Sequence, residues 1–157
     1  MRSVVSVVLR NYNYAHFLEE ALESVYIQTY PYIELIIADD ASTDCSMAVI
    51  DNWLTSRRDR FLRVEVLTTT RNMGQTLNMN RGVRAASGKY VFQLDADNTI
   101  QREGIERLVE YSASHPDIEF LFAKLQNHKD STWYPGCKDA EIYAGKYTEF
   151  YYLPVHE

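Results

Sequence analysis

The chain has 157 residues, of which 46% are hydrophobic and 24% are charged, and its formal net charge is −6. A chain of this length forms one domain, or one domain and a short extension, and buries about 68–70% of its unfolded surface. The ordinary apolar fraction excludes wholesale disorder and collagen-like or low-complexity sequence. The negative charge argues against a nucleic-acid-binding protein, because neutralising phosphates requires clustered Lys and Arg.

The cysteines and the first apolar run bear on the compartment. Cys45 and Cys137 are far apart and belong to no C-x-x-C motif, which excludes a disulfide framework and a zinc site and favours free thiols in a reducing cytosol. The apolar run at residues 4–9 is too short for a signal peptide or a transmembrane helix. It is better interpreted as a buried strand.

Strand-like and helix-like apolar patterns alternate along the rest of the chain. The predicted strands cover residues 4–9, 33–38, 62–66, 90–94 and 118–123, and the predicted helices cover residues 17–28, 47–53, 75–86 and 102–114. The third strand alternates apolar and charged residues, which is typical of a half-exposed strand near an edge. This order predicts an α/β sandwich with a largely parallel sheet, whereas residues 124–157 are rich in Tyr and show no clean period.

Polar residues follow four of the predicted strands at the point where each strand ends. They are Arg10, Asn11, Tyr12 and Asn13 after the first strand, Asp39 and Asp40 after the second, Arg71, Asn72 and Gly74 after the third, and Asp95 and Asp97 after the fourth. Ligands of open parallel sheets bind beyond the carboxyl ends of the strands. We therefore expect these side chains to converge on one polar site.

Asp95 and Asp97 form a D-x-D triplet that suits a divalent cation. Two carboxylates on alternate residues can bind one Mg²⁺ or Mn²⁺, which takes its other ligands from substrate phosphates. The triplet alone is a weak signal, but its place at the end of an apolar strand strengthens it. In the competing structural interpretation both aspartates only cap the turn into the next helix.

The other residues at these strand ends also have two interpretations. Asp39 and Asp40 can accept hydrogen bonds from a nucleobase or ribose, or can serve as turn and N-cap residues, and Asp39 is more open to the second interpretation. Tyr12 can stack on a base or cover the core. Residues 71–74 precede a predicted helix. They can bind phosphate, because a helix N-terminus attracts anions, or they can form an ordinary loop between a strand and a helix.

Together these motifs resemble the N-terminal part of family 2 glycosyltransferases with the GT-A fold, a three-layer α/β sandwich with a mostly parallel central sheet. The matching segments are V-S-V-V-L-R-N-Y-N at 5–13, F-L-E-E-A-L-E-S-V at 17–25, Q-T-Y-P at 28–31, D-D-A-S-T-D at 39–44, N-x-G at 72–74, N-x-N-x-G at 78–82, A-x-G at 86–88 and L-D-A-D-N at 94–98. Each motif is weak alone, but their shared order is specific. The family often has Pro-Thr where this chain has Arg10-Asn11.

The resemblance implies an inverting hexosyltransferase that moves a sugar from a nucleoside-diphosphate-sugar, often UDP-linked, to an acceptor hydroxyl. The nucleotide-binding residues that it implies are Arg10, Tyr12, Asn13, Asp39, Asp40, Arg71, Asn72, Gly74 and Asp95. Tyr12 and Asp40 would contact the base. Asp95 would approach the ribose or the metal, and Asp97 would coordinate Mn²⁺ or Mg²⁺ on the diphosphate.

The resemblance also implies where the enzyme acts and on what. The acceptor would be a glycan or a lipid-linked sugar in cell-envelope polysaccharide biosynthesis. We therefore expect a cytoplasmic protein that can associate peripherally with the inner face of the membrane, although the sequence contains no segment that would span it.

The second half of a transferase site is missing from the recognisable motifs. The family's catalytic base is a carboxylate in the acceptor half, and none of Asp130, Asp139, Glu141 and Glu149 lies in a matching motif. We therefore expect residues 1–123 to be the nucleotide-sugar-binding core of a longer protein and residues 124–157 to begin its acceptor side.

Two other functions remain open at this point. The first is a nucleotide-sugar-binding module without turnover. The second, more distant, is a haloacid-dehalogenase-like phosphatase, because Asp95, Asp97 and Thr99 fit its D-x-D-x-T signature, although that signature normally follows the first strand.

Overall fold

The structure of the protein is a computed structural model, and it describes residues 3–123 and 142–145. The chain divides into two compact units, Met1–Glu106 and Arg107–Glu157. Among the described residues, every helix is too short or too polar to serve as a transmembrane segment.

The first unit is built on a four-stranded sheet in which every neighbouring pair is parallel. Its strands are β1 (Val5–Asn11), β2 (Ile33–Asp39), β3 (Arg63–Leu67) and β4 (Tyr90–Asp95), in the order β3-β2-β1-β4. Its helices are α1 (Ala15–Tyr26), α2 (Ser46–Arg57), α3 (Gln75–Ala85) and the first residues of α4 (Gly104–Ser114). The predicted parallel sheet and the edge location of β3 are confirmed.

The two central strands are buried on both faces, as their continuous apolar sequence predicts. Val8 and Ile36 are fully buried on the face that α3 covers, where Met79 of that helix packs against them. Val7 and Leu35 are equally buried and point to the opposite face, because side chains alternate along a strand. The helices α1 and α2 pack against each other.

The start of α2 differs in detail from the sequence prediction. The residue types before α2 favour Asp44 or Ser42 as its N-cap, but Cys45 occupies that place and makes no side-chain capping bond. Asp44 instead accepts hydrogen bonds from the amides of Ala15, at 3.0 Å, and Ser46, at 2.9 Å. One carboxylate therefore joins the starts of two helices, which lie far apart in sequence.

The second unit contains the remainder of α4 and a separate antiparallel pair, β5 (Phe120–Ala123) and β6 (Ile142–Gly145). The sequence predicted a strand at 118–123 within the alternating α/β pattern, and the strand exists, but it pairs with β6 rather than with the parallel sheet. β6 was not predicted, since a four-residue strand carries too little periodicity to be recognised. The proposed functional division at residue 123 stays a prediction.

Candidate active site

The loops after the four parallel strands meet at one edge of the sheet and border a cleft of about 310 Å³. The predicted site residues that line it are Arg10, Tyr12, Asp40, Asn72, Gly74, Asp95 and Asp97. Asn13, Asp39 and Arg71 are not among the lining residues. The strand ends therefore converge as expected, but these three side chains lie outside the cleft.

One side of the cleft carries an arginine and the D-x-D triplet. Arg10 and Asp95 are register partners on β1 and β4, and the Arg10 guanidinium binds both oxygens of the Asp95 carboxylate, through Nε and, at 2.9 Å, through Nη2. The hydrogen bond that Arg10 donates to Asp95, opposed by partial burial, raises the pKa of Arg10, and the charges of Asp95 and Asp97 raise it further. Asp97 is exposed and forms no hydrogen bond or ion pair with any described residue. Of the two aspartates, Asp97 is thus the one with free oxygens.

Asp40 fixes the loop that leads into α3. Its side chain is only 2% exposed, and its two oxygens accept hydrogen bonds from the amides of Met73, at 2.9 Å, and Gly74, at 2.8 Å. Gly74 has a φ of 88°, which favours glycine, and Asn72 Oδ1 accepts a second bond from the same amide at 2.9 Å. Asp40 therefore sets the shape of the cleft wall as well as bordering it.

Asp39 and Asn13 are committed to the loop between β2 and α2. Asp39 is 1% exposed and accepts hydrogen bonds from Asn11 Nδ2 at 2.8 Å, from Ser42 Oγ at 2.6 Å and from the Ser42 amide at 2.9 Å. Asn13, with a φ of 57°, accepts a bond from the Thr43 amide at 2.7 Å. These hydrogen bonds hold the turn between β2 and α2, so Asp39 and Asn13 position the loops beside the cleft.

Several lining residues were absent from the predicted site. They are Tyr14, Gln75, Asn78 and Ala96, whereas Asn11, which also lines the cleft, was expected there among the polar residues after the first strand. Tyr14, like Tyr12, is 40% exposed, and Asn78 is buried and donates to the Ala38 carbonyl at 2.7 Å. Asn78 belongs to the N-x-N-x-G motif, which was the available signal for its role.

The carboxylates of the cleft fit a Mg²⁺ or Mn²⁺ ion that takes some of its ligands from substrate and water. They do not fit a metal ion that is held entirely by protein side chains. No group of three His, Cys, Asp or Glu side chains that could hold a metal occurs within residues 3–123. A hard cation that is bound through one or two carboxylates and completes its shell with phosphate and water needs no such group. Asp97, and Asp95 if Arg10 releases it, could supply those carboxylates.

Comparison with known sequences identifies the family. Residues 6–151 match the sequence model of the family described as Glycosyl transferase family 2. The chain belongs to this family. An uncharacterized glycosyltransferase of Nostoc sp. is 39% identical over 106 residues, which are 68% of this chain and 32% of the relative. The putative teichuronic acid biosynthesis glycosyltransferase TuaG of Bacillus subtilis is 30% identical over 110 residues, 70% of this chain and 42% of TuaG.

Solved structures agree with the family assignment. The mannosyltransferase PcManGT from Pyrobaculum calidifontis, in complex with GDP-Man and Mn²⁺, has a TM-score of 0.73 and 28% identity, covering 83% of this chain and 37% of PcManGT. The predicted GT-A fold is confirmed. The chain spans less than half the length of each of these family 2 proteins. Family membership also sets aside the phosphatase interpretation of the D-x-D-x-T sequence.

Proposed function

We propose that this chain is the donor-binding part of an inverting family 2 glycosyltransferase that moves a hexose from a nucleoside-diphosphate-sugar to an acceptor hydroxyl. The observation that supports this most is the composition of the cleft at the strand ends. Aromatic and amide groups lie beside Asp40 after β1 and β2, whereas the D-x-D triplet follows β4. A nucleoside would occupy the first region and a diphosphate the second.

The proposed donor is a UDP-sugar, and GDP-sugars are the alternative. The family resemblance favours UDP, whereas PcManGT was solved with GDP-Man. Tyr12 and Tyr14 offer exposed rings on which either base could stack. We propose that Tyr12 and Asp40 border the base, while Asn13, Asp39, Arg71 and Gly74 contribute through the loops that surround it.

Asp97, with Asp95 as a second ligand, is the proposed site of Mn²⁺ or Mg²⁺. A bound divalent cation would neutralise the charge that develops on the leaving nucleoside diphosphate. Arg10 would add a fixed positive charge beside the same phosphates, because its guanidinium lies on the D-x-D side of the cleft. The remaining ligands of the ion would come from the diphosphate and water.

The proposed acceptor side begins at residue 124, and of that part of the chain the structure describes only residues 142–145. The four carboxylates considered as bases, Asp130, Asp139, Glu141 and Glu149, all belong to that part of the chain. We propose a glycan or lipid-linked acceptor of the cell envelope, as the name of the TuaG relative suggests for that protein. Because the chain covers only part of its relatives, a nucleotide-sugar-binding module without turnover is the second candidate.

A thermal-shift panel tests the proposal and separates the donors. UDP, GDP and their hexose conjugates would each be added with Mn²⁺ or with EDTA. A ligand present at about 100 times its dissociation constant stabilises the folded protein by about 2.7 kcal/mol. We expect this stabilisation with one nucleotide series and Mn²⁺, and its loss with EDTA. Absence of a shift with every nucleotide would refute donor binding altogether.

Asp97→Asn is the variant that tests the metal site. It removes the exposed carboxylate of the D-x-D triplet, so the metal-dependent part of the nucleotide shift should disappear. Asp51→Asn makes the same chemical change at an exposed position of α2 that does not line the cleft, and should keep the full shift. Equal responses from the two variants would contradict the metal assignment. Hydrolysis or transfer of the sugar, assayed in parallel, distinguishes an enzyme from a binding module.

A further inference from the structure

The first aspartate of the D-x-D triplet is already occupied by a cation from the protein itself. Arg10 binds both oxygens of Asp95, and the two side chains are 27% and 37% exposed. Paired binding of a carboxylate by a guanidinium is among the stronger hydrogen-bonded ion pairs. The neighbouring Ala96 amide donates to the Arg10 carbonyl at 3.1 Å, so the backbones of the pair are also fixed to each other.

This pairing limits what the free protein offers to a divalent cation. Three charged side chains stand at this side of the cleft, Arg10, Asp95 and Asp97, and their charges sum to −1. Of these two carboxylates, Asp97 is the one whose oxygens have no protein partner among the described residues. One exposed carboxylate beside a guanidinium is a poor site for Mn²⁺, because the positive charge of the arginine repels the ion.

We propose that Arg10 withholds Asp95 from a divalent cation in the free protein, so that the cation is held firmly only together with the nucleoside diphosphate. This inference rests on the proposed function, since the diphosphate is the group that makes the exchange favourable. Asp95 accounts for two donors of the guanidinium, which has five. The negatively charged diphosphate can pair with Arg10 in place of Asp95. Asp95 is then free to bind the cation, which the diphosphate also binds. Arg10 is thus a positioning residue that couples the two ligands.

Direct titration with Mn²⁺ in the absence of nucleotide tests this role. Arg10→Met should bind Mn²⁺ about tenfold more tightly than the original protein, because it frees Asp95 and removes a positive charge next to the ion. Asp95→Asn leaves the charge of Arg10 uncompensated and should weaken the binding of Mn²⁺ to the free protein, but by less than Asp97→Asn, which removes the free carboxylate and should abolish binding. The double variant Arg10→Met with Asp95→Asn should lose most of the gain.

Arg57→Met is the matched control. Arg57 is 31% exposed and pairs with Glu23 at 3.0 Å, so the variant makes the same change in net charge and breaks a similar ion pair, but Arg57 does not line the cleft. Its Mn²⁺ affinity should stay that of the original protein. Thermal unfolding of each variant without ligand shows whether it is folded.

A second titration measures the coupling between Mn²⁺ and UDP or GDP. Each ligand should raise the affinity for the other by the same factor, and this factor should be smaller in Arg10→Met. An unchanged Mn²⁺ affinity in folded Arg10→Met, or an equal loss in Asp95→Asn and Asp97→Asn, would overturn the role of Arg10. Failure of the original protein to bind either nucleotide would instead refute the proposed function, and the coupling with it.

Discussion

At the scale of single residues, adjacent side chains of one motif have separate tasks. Asp39 points into the loop before α2 and bonds Asn11 and Ser42, whereas Asp40 bonds the amides of Met73 and Gly74 at the cleft. Both are almost completely buried. Burial with several hydrogen bonds makes each carboxylate a structural element of the site, so a change there affects stability and ligand binding together.

Asp40→Asn tests this at the cleft wall. The side-chain amide has one acceptor oxygen, so its NH₂ group would face either the amide N–H of Met73, which then loses its Asp40 partner, or that of Gly74, which then keeps only Asn72 Oδ1. We expect the free energy of unfolding to fall by about 1–3 kcal/mol. Urea denaturation without ligand measures it, and Asp51→Asn on the exposed face of α2 is the control. Equal stability of the two variants would mean that Asp40 does not anchor the loop.

At the scale of elements, α3 connects the cleft to the core. The helix begins directly after Gly74 at the cleft, and the Asn78 side chain donates a hydrogen bond to the Ala38 carbonyl at the end of β2. One residue later, Met79 packs on Val8 and Ile36 in the core. The helix comes close to β1 at Gly82, where an added Cβ would overlap Val8 Cγ1. The glycine of the N-x-N-x-G motif is thus required by packing of the helix on the sheet.

Gly82→Ala should therefore destabilise the protein although alanine favours helices. The gain in helix propensity is about 1 kcal/mol, whereas overpacking in a dense core costs typically 1–3 kcal/mol. We expect a net loss of up to about 2 kcal/mol in chemical denaturation. Arg84→Ala, at an exposed position of the same helix, should stay within about 0.5 kcal/mol of the original protein. A stabilised Gly82→Ala would show that α3 can move away from β1 at little cost.

At the scale of the whole molecule, the end of the sheet opposite the cleft is held by a buried carboxylate. Glu34 is 1% exposed and accepts hydrogen bonds from Ser6 on β1, from Arg63 on β3, and from the amide, at 2.9 Å, and hydroxyl, at 2.8 Å, of Ser87. Burial alone would raise the pKa of Glu34, but these hydrogen bonds outweigh it and lower the pKa below its ordinary value. Two neighbouring strands and the segment before β4 therefore depend on one charge.

The pH dependence of unfolding should report this charge. A carboxyl with a lowered pKa in the folded state contributes fully above its unfolded pKa, about 4.3, and its contribution is lost as the pH falls through the lower folded value. Glu34→Gln should lower stability at pH 7 by about 1–3 kcal/mol and flatten the decline below about pH 4.3.

Urea denaturation between about pH 3 and pH 7 is the measurement for Glu34. Glu103→Gln is the exposed control of the same chemistry and should retain the original profile. Hydrogen bonds from Ser46 and Ala15, opposed by desolvation, also lower the pKa of Asp44, so part of the decline should remain in Glu34→Gln. An unchanged acid profile in Glu34→Gln would contradict the assignment.

The sequence by itself determined the parallel sheet, the order of its elements, the family and the edge at which the cleft forms. Those features follow from local patterns: continuous apolar runs for β1 and β2, helical spacing for α1 and α3, and polar residues directly after strands. The edge location of β3 was also readable from its alternation of apolar and charged residues. Gly74 and Gly82 stood in recognisable motifs, although the reasons for glycine there were visible only in the structure.

Only the tertiary structure decided which polar side chains are free and which are occupied. Arg10 and Asp95 are neighbours because β1 and β4 are aligned in register, and Asn11 reaches Asp39 because β1 is aligned with β2. Such partners are separated by 28 to 85 residues, so no local spacing encodes them. The antiparallel pairing of β5 with β6 has the same origin, since hydrogen bonds between strands depend on how the chain returns rather than on the residues within either strand.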